Sequence, residues 1–371
     1  MLLLLSFRLM STRRSYLKPL FLLSVVAISL LGLTVFSKEE PAEVIAAEPV
    51  DDRHRGAHVF GINDTTSLAP IANTNLEWLT LVPWAFLQDY KDSTLTHTNS
   101  NNKWTRDYNA FWIRRIRHLR KSGYKVFLKP HVWVDTTING NWRSAIYPQS
   151  ESAWKSWSSD YRDFILRYAR LAESAGAEMF CVGMELTRLA LEKPQFWRDL
   201  IADVRKVYSG KITYGANWSN EYKDIQFWDL LDYIGVQAYF PLANEDCVSE
   251  EQIATGWSKY LPELQALSEK FDRKILFTEI GYKSTSNGAI RPWEWAENPE
   301  SQGNTFSPEV QANAYTAFFD TVWDQDWMAG AYFWQMRIDY DGRKYYELDF
   351  TPQGKPAMSV LYQGYKRAAT E

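Results

Sequence analysis

The stretch KILFTEIGY, residues 274–282, decides how the chain is read. Ile275, Leu276 and Phe277 make the kind of apolar run expected of a strand buried on both faces, yet the run leads into a carboxylate, Glu279, with Gly281 close behind. A charge at the end of a buried strand needs a reason.

Working outward, short apolar runs alternate with amphipathic stretches from His58 onward, the pattern of strands and helices around a parallel sheet. In residues 106–121, Tyr108, Phe111, Trp112, Ile116 and Leu119 recur at helical spacing while Arg114, Arg117 and Arg120 face elsewhere. Gly123 then supplies a left-handed cap before a strand begins. The grammar repeats at Pro194, which opens a helix with Trp197, Leu200, Ile201, Val204 and Val207 on its apolar face, and Gly210 is expected to close it. Candidate strands fall at residues 58–61, 76–82, 125–131, 178–184, 211–216, 233–238, 274–278 and 329–333. Strand and helix in this alternation predict a (β/α)8 barrel, a TIM barrel of the α/β class. An open doubly wound sheet is the alternative, but the first strand is not followed by a glycine-rich phosphate loop.

In such a barrel the C-terminal ends of the strands converge on one pocket, and here they carry polar or aromatic residues repeatedly. The second strand leads to Trp84, the third to His131 and Trp133, the fourth to Glu185, the fifth to Asn217 and Trp218, the sixth to Tyr239, the seventh to Glu279 and the eighth to Trp334. A glutamate at one strand end is more often a helix-cap partner or a surface charge. Two glutamates, closing the fourth and seventh of eight strands with aromatics between them, instead suggest the paired carboxylates of glycoside cleavage, one protonated and one ionised.

Composition fits that chemistry and excludes others. With 17 Trp, 21 Tyr and 19 Phe, the chain has aromatic rings beyond what a core needs, and exposed rings stack well on sugars. The net charge of -4, with both signs interspersed, gives no footprint for nucleic acid. His54, His58, His97, His118 and His131 show no metal-ligand spacing, so neither a metal site nor a cofactor is expected. Cys181 and Cys247 are read as two unrelated thiols, with pairing in an oxidising compartment as the alternative.

The motifs FCVGMEL (residues 180–186), GANW (215–218), VQAYFPL (236–242), FTEIGY (277–282) and AYFWQM (331–336) resemble those of glycoside hydrolase family 113. That family belongs to a clan of retaining barrel glycosidases, and its described activity is on β-1,4-mannan. The resemblance covers residues 56–365 and implies that Glu185 is the general acid/base, Glu279 the nucleophile, Tyr239 the nucleophile's hydrogen-bond partner and Trp334 the platform beneath the reacting sugar. It also marks a departure. Many clan members place Asn immediately before the acid/base, against the sugar 2-hydroxyl, whereas this chain has Met184. Asn217 and His131 are the candidates to supply the missing contact, each with a satisfied polar wall residue as the alternative. Trp84, Trp133 and Trp218 are candidate subsite aromatics; Trp112 and Trp197 are expected in helix packing; Trp142, Trp293 and Trp295 stand between subsite and loop core.

The N-terminus reads as a separate piece. Residues 1–18 form a basic, cytoplasmic flank with Arg8, Arg13, Arg14 and Lys18. Residues 19–36 form an apolar run at the lower limit for spanning a bilayer. Residues 37–55 read as a linker, and residues 56–371 as the catalytic barrel. An uncleaved membrane anchor is expected, because the small-residue site at Ala46 lies far beyond the apolar run, and a cleaved signal peptide is the alternative. Either reading exports the barrel, membrane-anchored or secreted. The expected protein is thus an exported retaining β-glycosidase, monomeric in its catalytic domain, acting on mannan polysaccharide or oligosaccharides. A clan relative acting on glucan or galactan, and a non-catalytic carbohydrate-binding barrel, are the alternatives.

Overall fold

A computed structural model of the 371-residue chain describes residues 52–96, 103–296, 305–342 and 346–370. The strands are β1 (His54–Phe60), β2 (Trp78–Leu81), β3 (Trp84–Leu87), β4 (Lys125–Leu128), β5 (His131–Val134), β6 (Met179–Met184), β7 (Lys211–Asn217), β8 (Ile234–Gln237), β9 (Ile275–Ile280) and β10 (Met328–Arg337). Eight of them close a parallel barrel in the order β1-β10-β9-β8-β7-β6-β4-β2, which is the (β/α)8 architecture read from the sequence. The helices are α1 (Lys103–Lys121), α2 (Thr136–Asn139), α3 (Glu151–Ala175), α4 (Thr187–Glu192), α5 (Pro194–Val207), α6 (Glu221–Asp224), α7 (Glu250–Trp257), α8 (Leu261–Phe271), α9 (Pro308–Thr321) and α10 (Pro356–Thr370).

Each expected strand falls on one barrel strand, with three instructive differences. First, β1 begins at His54, so the linker ends sooner than residue 55: His54 is buried, stacks on Trp78 and hydrogen-bonds the Tyr332 hydroxyl at 2.8 Å through Nδ1. Second, β3 and β5 form a two-stranded parallel sheet beyond the ends of β2 and β4. Pro83 and Pro130 cause that break, since proline has no N–H to give a ladder. Third, Gly210 does not cap α5, whose end is the extended Tyr208; a Cβ at Gly210 would instead meet the Tyr208 ring and the Glu178 carbonyl. Gly123 does take the left-handed conformation expected of it, with φ of +91°.

Two apolar layers hold the barrel. Inside, Trp78, Phe127, Met179, Cys181, Leu276 and Tyr332 plug the lower half. Outside, helix faces pack on the strands: Trp112, Ile116 and Leu119 of α1 are buried, while Arg114 and Arg120 pair with Asp64 and Glu178. Trp197 is fully buried against Tyr161, Tyr214 and Phe227, its indole N–H donating to the Leu189 carbonyl at 3.1 Å. Cys181 is buried and Cys247 exposed, and both are free thiols. Among the described residues no helix is long and apolar enough to cross a membrane; the apolar run at residues 19–36 lies outside them.

Packing of this kind sets a stability test. Trp197→Ala removes a fully buried indole and should cost roughly 3–5 kcal/mol, measured by chemical denaturation of the purified protein. A cost below about 1 kcal/mol would mean that α5 is not held through this residue.

Candidate active site

Strand alternation alone would aim Glu279 away from the barrel axis, because Leu276 lies in the interior cluster and Ile275 and Phe277 in the outer one. The β8–β9 register resolves the conflict. Val236 pairs with Phe277 and Gln237 with Glu279, so the ladder slips past Thr278. A slip of one residue re-aims the side chains that follow it, and Glu279 joins Thr278 on the barrel side. Glu185 is turned by a different device: it sits just beyond β6 with φ of +50°, a conformation uncommon for a non-glycine residue.

Glu279 is buried in a cage of donors. Lys129 Nζ lies 2.6 Å from Oε1, and the Tyr239 hydroxyl donates to Oε2 at 2.9 Å. Lys129, itself fully buried, also donates to Gln237 Oε1 at 2.9 Å and to the Thr278 carbonyl at 3.1 Å, so all three of its N–H bonds have acceptors. Burial opposes ionisation of Glu279, but Lys129, reinforced by Tyr239, outweighs it and holds the carboxyl down at about 2. His58, with Nε2 3.6 Å from Glu279 Oε1, is kept neutral by burial and by Lys129, its pKa lowered to about 3.

Glu185 is shifted the other way. Burial raises its pKa, against the pull of Arg143 and with support from the negative Glu279. Asn217 Nδ2 donates to its Oε1 at 2.8 Å and the Trp142 indole to its Oε2 at 3.3 Å. Behind it a buried Glu221 ties the surroundings together. That carboxylate accepts from the Tyr214 hydroxyl at 2.6 Å, Thr187 Oγ1 at 2.8 Å and the Asn217 backbone N–H at 2.7 Å, and Tyr214 in turn accepts from the Leu186 N–H. One cleft therefore holds a carboxylate whose pKa is pushed down and a second carboxyl whose pKa is pushed up, the direction of division that acid-assisted displacement requires.

The cleft, of about 960 Å³, is lined by both glutamates and by every site residue picked from the sequence: Trp84, His131, Trp133, Asn217, Trp218, Tyr239 and Trp334. Asn217 spends its amide on Glu185 and on Ser219, whose N–H and hydroxyl reach its Oδ1. Trp334 packs between Phe60 and Trp295. Trp142, Trp293 and Trp295 all line the cleft, Trp293 stacking on Trp218 at 4.8 Å. Sequence reasoning gave no role to Lys129, Arg143, Glu221 or His58. Lys129 carried a signal, being a lysine inside an apolar strand run; Arg143 and Glu221 lie in loop or short-helix sequence with none. Among the described residues no cluster of three or more His, Cys, Asp or Glu side chains is arranged to hold a metal.

Lys129→Met should cost roughly 3–5 kcal/mol at neutral pH, because it strands a buried carboxylate. Glu279 has a depressed folded-state pKa, so its ionised form stabilises the fold above the ordinary value near 4.5, and that contribution fades as pH falls towards about 2. The penalty of Lys129→Met should therefore shrink as denaturation curves are taken from about pH 4.5 towards pH 2. A penalty independent of pH would show that the pair is not ionic.

No curated protein matches the chain. Among solved structures, a family 113 β-1,4-mannanase superposes with a TM-score of 0.71 at 24% identity, covering 85% of this chain and 99% of the other. The family 113 β-mannanase from Alicyclobacillus acidocaldarius gives a TM-score of 0.71 at 25% identity, covering 85% and 98%. A β-glucuronidase from Ruminococcus gnavus shares only the fold, at 10% identity and a TM-score of 0.54, over 84% of this chain and 50% of its own. The model of Glycoside Hydrolase Family 113 matches residues 58–355, and with that extent of match the chain belongs to this family.

Proposed function

We propose that the protein hydrolyses β-1,4-mannan or manno-oligosaccharides with retention of anomeric configuration. The observation that carries this reading is the pair of cleft carboxyls shifted in opposite directions: Glu279 held down beside Lys129 and Tyr239, Glu185 raised by burial. The choice of mannan is supported by the β-mannanase relatives.

In this mechanism Glu185 protonates the glycosidic oxygen while Glu279 attacks the anomeric carbon from the opposite face, giving a covalent glycosyl-enzyme. Glu185, now ionised, takes a proton from water, which attacks the same carbon and releases Glu279. Tyr239 and Lys129 fix Glu279 in line for the attack. Trp334 supports the sugar at the cleaved bond, and Trp84, Trp133, Trp218 and Trp293 offer ring faces or edges to its neighbours. A non-catalytic carbohydrate-binding barrel has no use for a caged, ionised glutamate in one cleft with a second glutamate whose pKa is raised. The N-terminal run at residues 19–36 and its basic flank support export and membrane anchorage.

The purified chain should cleave β-mannan in preference to β-glucan and β-galactan, with the first-formed product retaining its configuration by NMR. A 2-deoxy-2-fluoro mannoside should label Glu279 on peptide mapping; a label elsewhere, or an inverted product, overturns the assignment. Glu185→Ala should abolish cleavage of unactivated oligosaccharides by roughly 10²–10⁴-fold and respond to azide with activated aryl glycosides. For anchorage, the native protein should fractionate with membranes, and a mature N-terminus just after Ala46 would refute an uncleaved anchor.

A further inference from the structure

Glu221 is 1% exposed and takes no part in the displacement itself, yet a carboxylate so deeply buried is costly unless its surroundings use it. Its three donors belong to one closed ring of contacts. On one side the Asn217 backbone N–H donates to Glu221 Oε2, and the Asn217 side chain donates to Glu185 Oε1. On the other side the Tyr214 hydroxyl donates to Glu221 Oε1 and accepts from the N–H of Leu186, the residue that follows Glu185. Thr187 Oγ1, one residue further, donates to Glu221 Oε2. The ring thus begins and ends on Glu185. Its bond directions call for a carboxylate. A backbone N–H can only donate, so Tyr214 accepts from Leu186 and aims its own proton at Glu221, while the Asn217 N–H occupies the other oxygen. Both oxygens must accept, and a glutamine would set an NH2 against one of these donors.

What the ring holds is a strained turn. The left-handed backbone at Glu185, with φ of +50°, costs about 1–3 kcal/mol in a non-glycine residue and persists only where the surroundings over-determine it. The Glu185 N–H donates to the Gly215 carbonyl at 2.9 Å and the Leu186 N–H to Tyr214 at 2.9 Å, so both peptide groups of the turn are anchored on β7. Glu221 pins the end of that strand through Asn217 and the start of α4 through Thr187. Backbone and side chain of Glu185 are therefore located by the same gathered segment. A proton donor works only within hydrogen-bond reach of the departing oxygen, and a misplacement of about 1 Å can cost roughly 100-fold.

We propose that Glu221 is a positioning residue for the acid/base, acting through Asn217, Tyr214 and Thr187 to hold the Glu185 carboxyl where it can protonate the leaving group. Glu279 is held by a separate set, Lys129 and Tyr239, so loss of Glu221 falls on proton transfer and not on the nucleophile. The inference rests on the reading of Glu185 as the acid/base and not on the choice of mannan.

The test separates proton transfer from other effects by the leaving group. Wild type, Glu221→Gln, Tyr214→Phe and, as a reference, Glu185→Ala are compared on a manno-oligosaccharide, whose leaving sugar needs a proton, and on 2,4-dinitrophenyl β-mannoside, whose phenolate departs without one. With the oligosaccharide, kcat/KM should fall roughly 10–100-fold for Glu221→Gln and roughly tenfold for Tyr214→Phe. With the dinitrophenyl substrate, kcat/KM should stay within about threefold of wild type, while kcat falls because the same carboxyl serves as base in the second step. Equal losses of kcat/KM on both substrates, or no loss on either, would overturn the proposal, because a general loosening of the cleft does not depend on the leaving group. Should Glu221→Gln fail to fold, Tyr214→Phe, which removes a single oxygen from the ring, carries the same comparison. The reference tells the two readings apart. If Glu185→Ala shows no leaving-group dependence, the acid/base assignment fails and this inference with it; if Glu185→Ala shows it and the ring variants do not, this inference alone fails. If wild type prefers glucosides, the mannan reading fails and the matched glucoside pair decides this inference. A wild type that cleaves neither overturns both.

Discussion

The buried ion pair between Lys129 and Glu279 is the constraint around which the upper half of the barrel is arranged. Removing two charges from water costs several kcal/mol per ion, and only close pairing with saturated hydrogen bonding offsets it. The structure meets both conditions. Lys129 spends its three N–H bonds on Glu279, Gln237 and the Thr278 carbonyl, and Glu279 receives Tyr239 on its second oxygen. The interior therefore changes character along the barrel axis: apolar around Phe127 and Leu276, polar around His58, Lys129 and Gln237. A fixed carboxylate at the mouth is the consequence.

That pairing also sets the state of the second carboxyl. With Glu279 held negative, Glu185 faces a like charge as well as burial, and both favour keeping its proton. Arg143 pulls in the opposite sense but stands at 3.8 Å, beyond hydrogen-bond distance, so it moderates the shift without reversing it. Glu221 has a structural part in this balance. Its three donors come from Thr187, Tyr214 and the Asn217 backbone, so the segments on either side of Glu185 are tied to one carboxylate.

The aromatic surplus divides as its surroundings dictate. Trp112 and Trp197, on helix faces with apolar spacing, are buried between helix and barrel, while Trp133, Trp293 and Trp295 remain 39–40% exposed at the cleft. Helical periodicity was enough to recognise the first group. The second lies in β5 and in loops, where no period constrains a ring and only the surrounding contacts decide whether it faces core or cleft.

The sequence by itself determined the barrel, because strand runs and amphipathic helices alternate with local punctuation by glycine and proline. It also determined which residues end the strands, and hence Glu185, Tyr239, Glu279 and Trp334, since a barrel gathers strand ends at one mouth. Register and chain reversal were beyond it. The slip past Thr278 that turns Glu279 inward, the left-handed backbone at Glu185, and the placement of Arg143 beside Met184 all depend on partners distant in the chain. The same holds for Lys129, whose charge is tolerable in the interior only because Glu279, 150 residues away, folds back against it. Periodicity and turn chemistry act over a few neighbours; pairing of buried charges acts across the closed barrel, and only tertiary structure brings those charges together.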